Sequence, residues 1–197
     1  TESISWLQRL LHLVRPKIEN TDEIIDSLAH AEERAVIATD SRLMIEGVLR
    51  MEGMTAGEVM VATPRADLID IDAPLEQIFN IVIETAHSRF PVFEGERDHI
   101  IGILLAKDLL KLQRAPDLNL RSLLRPPVFV PESKRLNDLL RDFRNNRNHL
   151  AMVIDEFGSL AGLITIEDVL EEIVGEIEDE FDEDDEAGDI YRLADKT

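Results

Sequence analysis

Apolar residues recur twice along the middle of this chain with the same helical spacing. Leu75, Ile78, Phe79 and Val82 stand at i, i+3, i+4 and i+7, and roughly sixty residues later Leu136, Leu139, Leu140 and Phe143 repeat the pattern. Each run predicts an amphipathic helix, and each gives way to the same kind of ending. In the first copy "SRFPVFE" leads through a polar turn into "IIGILLAKDLL"; in the second "HLAMVIDEFGS" leads into "LAGLITIEDVL". Gly102 then matches Gly162, Asp108 matches Asp168 and Leu110 matches Leu170. The pattern reads helix, strand, turn, strand, helix, in duplicate, which is an α/β architecture. Two copies are too few for a solenoid. They can still bury their sheets against each other, leaving clefts at a pseudo-twofold junction of the kind that takes small ligands. The repeat therefore points to a ligand-binding or regulatory module.

The flanks carry weaker patterns. Ile4, Leu7, Leu11 and Val14 form a short helical stripe in "ISWLQRLLHLV", which Pro16 stops. It reads either as a segment that docks on protein or as an interfacial membrane helix with Trp6 at the headgroups, for which only Arg9, Arg15 and Lys17 supply positive charge. "NTDEIIDSLAHAEE" predicts a helix capped by Asn20 or Thr21, and "DSRLMIEGVLRMEGM" predicts a second. Their apolar positions suggest packing on the repeats. Pro116, Pro126 and Pro127 punctuate the passage between the copies. Val169, Leu170, Ile173, Val174 and Ile177 continue the last apolar stripe, so the closing helix is expected to pass Val174 and reach Glu178. Beyond Phe181, charge density and Gly188 favour a flexible link, and "DIYRLADKT" reads as the opening strand of a further domain.

Composition narrows the class. The 197 residues, 44% of them hydrophobic, suffice for one or two ordinary cores. No apolar run approaches the roughly 20 residues of a membrane-spanning helix. The N-terminus lacks the pattern of a secretion signal, so a cytoplasmic module, or one peripheral at the inner membrane, is expected. The absence of cysteine excludes disulfides, thiolate metal sites and cysteine nucleophiles. A formal net charge of −20 argues against a broad nucleic-acid-binding face. The acidic run from Glu171 to Glu186 has no EF-hand spacing; a solvated helix end running into a linker explains it better than a divalent-ion site or a docking surface for a basic partner.

No HExxH, P-loop, GxGxxG or nucleophile turn is present, so the chain is read as no enzyme. His87 and His149 hold near-equivalent places in the two copies, where a packing or surface role outweighs metal ligation, and no metal site is assigned. The chemistry concentrates in "GLITIEDVL". Gly162 allows close backbone approach, Thr165 ends the strand and Asp168 lies in the first turn of the next helix. Such a carboxylate suits ribose hydroxyls, and the hydroxyl with nearby backbone N–H groups suits phosphate. The same T-x-x-D is also a helix-capping arrangement. "GILLAKDLL" keeps Asp108 but replaces the hydroxyl with Leu105, so capping explains Asp108 less well. Facing this element, "VMVATPRADLI" places Thr63, Pro64 and Arg65 in a turn ahead of a strand. "AHSRFPVF" places Ser88, Arg89 and Pro91 where the first helix enters its strand, with Pro91 rigidifying an edge. Arg65 and Arg89 are cations that a polyphosphate needs to approach so acidic a protein; pairing with surface carboxylates is the alternative.

The duplicated unit with "GLITIED" resembles a pair of CBS domains, together called a Bateman module. More narrowly, "MIEGVLRMEGM", "VMVATPRADLI", "ETAHSRFPVFE", "HIIGILLAKDLL" and "MVIDEFGSLAGLITIEDVLEEIVGEIEDEFD" together resemble the CorC/HlyC family over nearly all of residues 20–185. The resemblance implies an N-terminal helical segment over 1–58, CBS domain 1 over 59–118, CBS domain 2 over 119–180, and over 181–197 an acidic linker with the start of a C-terminal CorC/HlyC domain. It implies a homodimer that binds ATP or AMP, with magnesium, between the repeats. Asp168 would hold ribose and Thr165 phosphate, with Thr63, Pro64 and Arg65 and the loop of His87, Ser88, Arg89 and Pro91 around the base. Asp108 would mark a weak second site, since Leu105 stands where the phosphate-side hydroxyl belongs. The implied role is regulatory, in magnesium and cobalt homeostasis and efflux, with a membrane transporter or another protein as partner. Flavin dinucleotide enters only through the further C-terminal domain. The alternative is a dimeric scaffold that senses nothing and docks a partner.

Overall fold

In the computed structural model, which describes residues 20–115 and 118–175, the first described helix is entered at Asn20, whose side chain accepts the Glu23 N–H at 2.9 Å. This cap opens α1 (Thr21–Glu33), with Asp22 and Glu23 in the first turn where the helix dipole favours negative charge. Arg42 of α2 (Thr39–Met51) ties the pair together by bridging Glu32 of α1 and Glu46 of its own helix. A short α3 (Ala56–Val59), entered through a capping box between Thr55 and Glu58, leads to β1 (Val61–Ala62) and a tight turn at Thr63–Arg65.

The first repeat then runs β2 (Ile69–Asp70), α4 (Leu75–Thr85), β3 (Arg89–Glu94), β4 (Glu96–Leu105) and, after a 3-10 turn, α5 (Leu110–Arg114). The second runs β5 (Phe129–Pro131), α6 (Leu136–Asn146), β6 (Leu150–Ile154), β7 (Leu160–Thr165) and α7 (Ile166–Val174). In each, the middle strand lies parallel to the short first strand and antiparallel to the next, giving sheet orders β2-β3-β4 and β1-β7-β6-β5. The duplicated helix-strand-strand-helix unit is thus present, with a short leading strand added to each copy.

The two repeats exchange their sheet edges. β1 precedes the first repeat yet pairs with β7 of the second, Val61 opposite Leu163 and Ala62 opposite Gly162. Reciprocally, Arg125 precedes the second repeat and bridges Ile103 of β4 through two backbone hydrogen bonds of 2.9 Å. Both crossings run over a glycine. A Cβ on Gly162 would stand 2.4 Å from the Val61 carbonyl oxygen, and one on Gly102 would stand 2.7 Å from the Leu124 Cβ.

Packing follows the same symmetry. Ile78, Phe90 and Leu104 centre one core, and Leu136, Phe143 and Ile164 centre the other, which also takes Met51 and Ala56 from the N-terminal helices. A third cluster joins the sheets: Leu68, Ile100 and Ile103 meet Leu150, Met152 and Leu163. Each such side chain, fully buried, contributes about 1.5–3 kcal/mol of transfer free energy, enough to fix the two repeats against each other. α2 lies on α7 so closely that a Cβ on Gly47 would stand 2.5 Å from the Ile173 carbonyl oxygen, so this helix packs on the second repeat, as its apolar positions suggested, while α1 packs on α2 and buries no residue.

Two expectations need correction. Pro91 sits in β3, the middle strand, and is buried. It is tolerated there because Ile103, its partner across the ladder, spends both backbone groups on Arg125, and β2 begins pairing only at Val92; no ladder bond needs the missing N–H. The closing helix ends at Val174, because Gly175 takes a φ of 76° and caps it, so the apolar stripe does not carry the helix unbroken to Glu178. The stripe at residues 4–14, the acidic run beyond residue 175 and "DIYRLADKT" lie outside the described residues.

Candidate ligand-binding cleft

The strand-to-helix junction of the second repeat opens onto a cleft of about 390 Å³ between the repeats. Its volume falls within the range of small-molecule sites, roughly 300–1,000 Å³. Val61, Leu150 and Leu163 supply an apolar floor from the exchanged edge and its neighbours. Arg65 enters from the turn after β1, and the segment from Ala86 to Arg89 enters from the end of α4. Thr165, Glu167 and Asp168 close the other side. Ala86 takes a left-handed conformation, φ 54° and ψ 17°, which turns the chain sharply from helix into the cleft wall.

Thr165 and Asp168 form a reciprocal cap. The Thr165 hydroxyl accepts the Asp168 N–H at 3.1 Å, and Asp168 Oδ2 accepts the Thr165 N–H at 2.6 Å. The cap leaves ligand capacity on both side chains. Thr165 keeps its own O–H proton to donate, and Asp168 keeps Oδ1. Capping and ligand binding are therefore compatible roles for the same pair.

Of the residues singled out in the sequence, Arg65, His87, Ser88, Arg89, Thr165 and Asp168 meet in this cleft. Thr63 and Pro64 do not line it. The Thr63 hydroxyl donates to the Leu160 carbonyl at 2.9 Å and so fastens the turn to β7, while Pro64 is exposed. Pro91 is also outside it, in the core of the first sheet. Among the described residues neither Arg65 nor Arg89 pairs with a carboxylate. The charged residues the sequence did not single out are Asp67, which meets His87 at 3.1 Å, and Glu167, which meets His149 at 3.9 Å. His149 directly precedes β6 as Ser88 directly precedes β3, which is the signal that places it in the wall.

Asp108 does not face this cleft. It is buried, 6% exposed, with Oδ1 2.8 Å from the Lys111 ammonium and Oδ2 3.6 Å from the Arg125 guanidinium. The hydrogen bond from Lys111, with the charges of Arg125 and Lys107, holds its carboxyl below the usual aspartate range. A second cavity, about 400 Å³, borders the first and shares its wall from Ala86 to Arg89, adding Leu105, Ala106 and Lys107. Among the described residues no cluster of His, Asp and Glu has the arrangement of a metal site, and no helix is long and apolar enough to cross a membrane.

The CBS domain model matches this chain twice, at residues 56–115 and 120–175. Over 197 residues the chain is 43% identical to the magnesium and cobalt efflux protein CorC of Vibrio cholerae, an alignment that covers 98% of this chain and 67% of that protein. The chain belongs to the CorC family of tandem CBS-domain proteins. It spans between 57% and 67% of the length of the CorC proteins of Vibrio cholerae and Pasteurella multocida. Among solved CorC-family structures, the CBS domain of a bacterial CNNM/CorC family Mg2+ transporter in complex with ATP matches with a TM-score of 0.65 and 41% identity, over 70% of this chain and 99% of that one. A CBS-domain pair with bound AMP from Klebsiella pneumoniae matches with a TM-score of 0.55 and 29% identity, over 62% and 99%.

Proposed function

We propose that the cleft between the repeats binds an adenine nucleotide, and that the chain is the nucleotide-sensing regulatory part of a magnesium and cobalt efflux protein. One observation carries the reading: a carboxylate with an open oxygen, a hydroxyl with an open proton and two arginines without carboxylate partners among the described residues converge over an apolar floor. The relatives that hold ATP and AMP support the ligand class. Asp168 Oδ1 would accept from ribose, Val61, Leu150 and Leu163 would pack on the purine, and Arg65 and Arg89 would offset phosphate charge. Three carboxylates, Asp67, Glu167 and Asp168, stand against those two guanidiniums in the cleft, so a triphosphate is expected to bind more tightly as its magnesium complex.

Bound nucleotide regulates only as far as it prefers one arrangement of the repeats over another. In this reading the module works as a homodimer, supported by the exposed apolar side chains Ile83 and Leu110 on the helices of the first repeat. Sedimentation velocity checks the dimer. Calorimetric titration of the full chain with ATP and AMP, each with and without magnesium, tests the ligand; a chain that takes up neither is no sensor. The reciprocal cap favours the second reading, a scaffold in which Thr165 and Asp168 only start α7, and the same titration separates the two.

A further inference from the structure

The cleft and its neighbour differ in charge. The first carries Asp67, Glu167 and Asp168 beside Arg65 and Arg89, whereas the second carries Arg89 and Lys107 and no carboxylate. Asp108, next to Lys107 in the chain, does not line this second cavity, and its two carboxylate oxygens are turned onto Lys111 and Arg125. Lys107 is exposed and pairs with no carboxylate among the described residues. The wall between the cavities, Ala86 to Arg89, is common to both, so the two adjoin along Ser88 and Arg89.

We propose that this second cavity is the polyphosphate subsite of the nucleotide site, with Lys107 the residue that distinguishes a triphosphate from a monophosphate. The inference rests on the nucleotide reading above and deepens it. A nucleoside seated by Asp168 places its phosphate chain among three carboxylates unless the chain leaves the cleft. The adjoining cavity is the direction in which repulsion falls and cations accumulate. Lys107 suits this role as a mobile ammonium on a long stem, which meets terminal phosphate oxygens as a point charge.

The test compares ATP with AMP on the full chain and its Lys107→Gln, Lys107→Glu and Lys107→Arg variants, by calorimetry with magnesium present. Lys107→Gln is expected to weaken ATP roughly five- to tenfold, the loss of one partly screened charge-assisted contact, and to leave AMP unchanged. Lys107→Glu should weaken ATP further, and Lys107→Arg should restore it. Unchanged AMP affinity in the variants shows that they fold. If ATP and AMP weaken together, or if neither responds while the wild type binds both, the subsite is elsewhere and the nucleotide reading survives. A wild-type chain that binds neither nucleotide overturns both.

Discussion

The two strand-to-helix junctions share a backbone plan and differ in chemistry. Thr165 ends β7 and Ile166, Glu167 and Asp168 follow it; Leu105 ends β4, and Ala106, Lys107 and Asp108 occupy the same steps after it. In the second repeat the hydroxyl and carboxylate cap each other and face the cleft. In the first, buried Leu105 offers no cap, and Asp108 is drawn into an ion pair with Lys111 and Arg125. The residue before each aspartate reverses sign, Glu167 against Lys107. Duplication thus supplied one scaffold, and a few side chains divided it into an acidic junction suited to hydroxyl donors and a basic one suited to anions.

The largest effect should come from exchanging the two aspartates for alanine. Asp168→Ala removes a charged acceptor and is expected to lower adenylate affinity about 10- to 100-fold, or about 1.5–3 kcal/mol. Asp108→Ala should leave affinity intact while lowering stability, because its buried carboxylate pairs with the exposed cations Lys111 and Arg125. Calorimetry and urea unfolding on both variants read the two quantities. Equal losses of affinity would erase the distinction between the junctions.

The glycines ahead of the junctions sharpen the comparison next. Alanine at position 162 meets backbone, the Val61 carbonyl, whereas alanine at position 102 meets first the side chain of Leu124. The Leu124 Cβ moves only with its own backbone, so both substitutions shift the chain, and the shift is larger at position 162, where the contact is 2.4 Å against 2.7 Å. Gly162→Ala is therefore expected to cost about 2–3 kcal/mol and Gly102→Ala about 1–2 kcal/mol. Denaturant midpoints for the two variants, at equal m-values, measure the difference; a larger cost at Gly102 would mean that the first crossing is the more rigid.

Much of this plan was legible because it is periodic. The helices over 75–85 and 136–146 follow from apolar spacing, a cap at Asn20 or Thr21 and the close approach at Gly162 follow from residue type, and the structure decides the cap for Asn20. The exchange of edges was not legible. β1 is two residues long and pairs with a strand about a hundred residues away, and neither length nor period marks such a partner. Pro91 misled for a related reason: a proline signals an edge only where a ladder bond would need the N–H it lacks, and that depends on the register of its neighbours, Ile103 in β4 and the start of β2. In the site, Arg65, Arg89, Thr165 and Asp168 stood out by charge and motif. Asp67, Glu167 and Lys107 did not, since a lone charge in a sequence reads as surface until a cavity gathers it.

Acid titration offers a smaller handle on the first junction. Lys111, and then Arg125 and Lys107, hold the folded Asp108 carboxyl below its ordinary value. A group with a depressed folded pKa contributes stability above its unfolded pKa, about 3.9, and loses it as pH falls through the folded value. Unfolding free energy measured between about pH 5 and pH 2 should therefore fall less steeply in Asp108→Asn than in the wild type. Parallel slopes would show that the ion pair does not persist in solution.

The smallest effect separates the cleft wall from its counterpart in the second repeat. Ala86 and Arg147 close α4 and α6 in the same left-handed conformation, each with φ 54°. Only Ala86 lines the cleft. Glycine adopts this conformation without the Cβ penalty but starts from a more flexible unfolded chain, so either Ala86→Gly or Arg147→Gly should raise stability by no more than about 0.5–1 kcal/mol. Their effects on ligand should diverge. Ala86→Gly frees the segment that presents His87, Ser88 and Arg89 and is expected to weaken nucleotide about two- to threefold through the added cost of ordering it. Arg147→Gly should leave affinity unchanged. Thermal melts with calorimetry on both variants decide the matter: if the two substitutions change affinity alike, the left-handed turn at Ala86 has no special part in shaping the cleft.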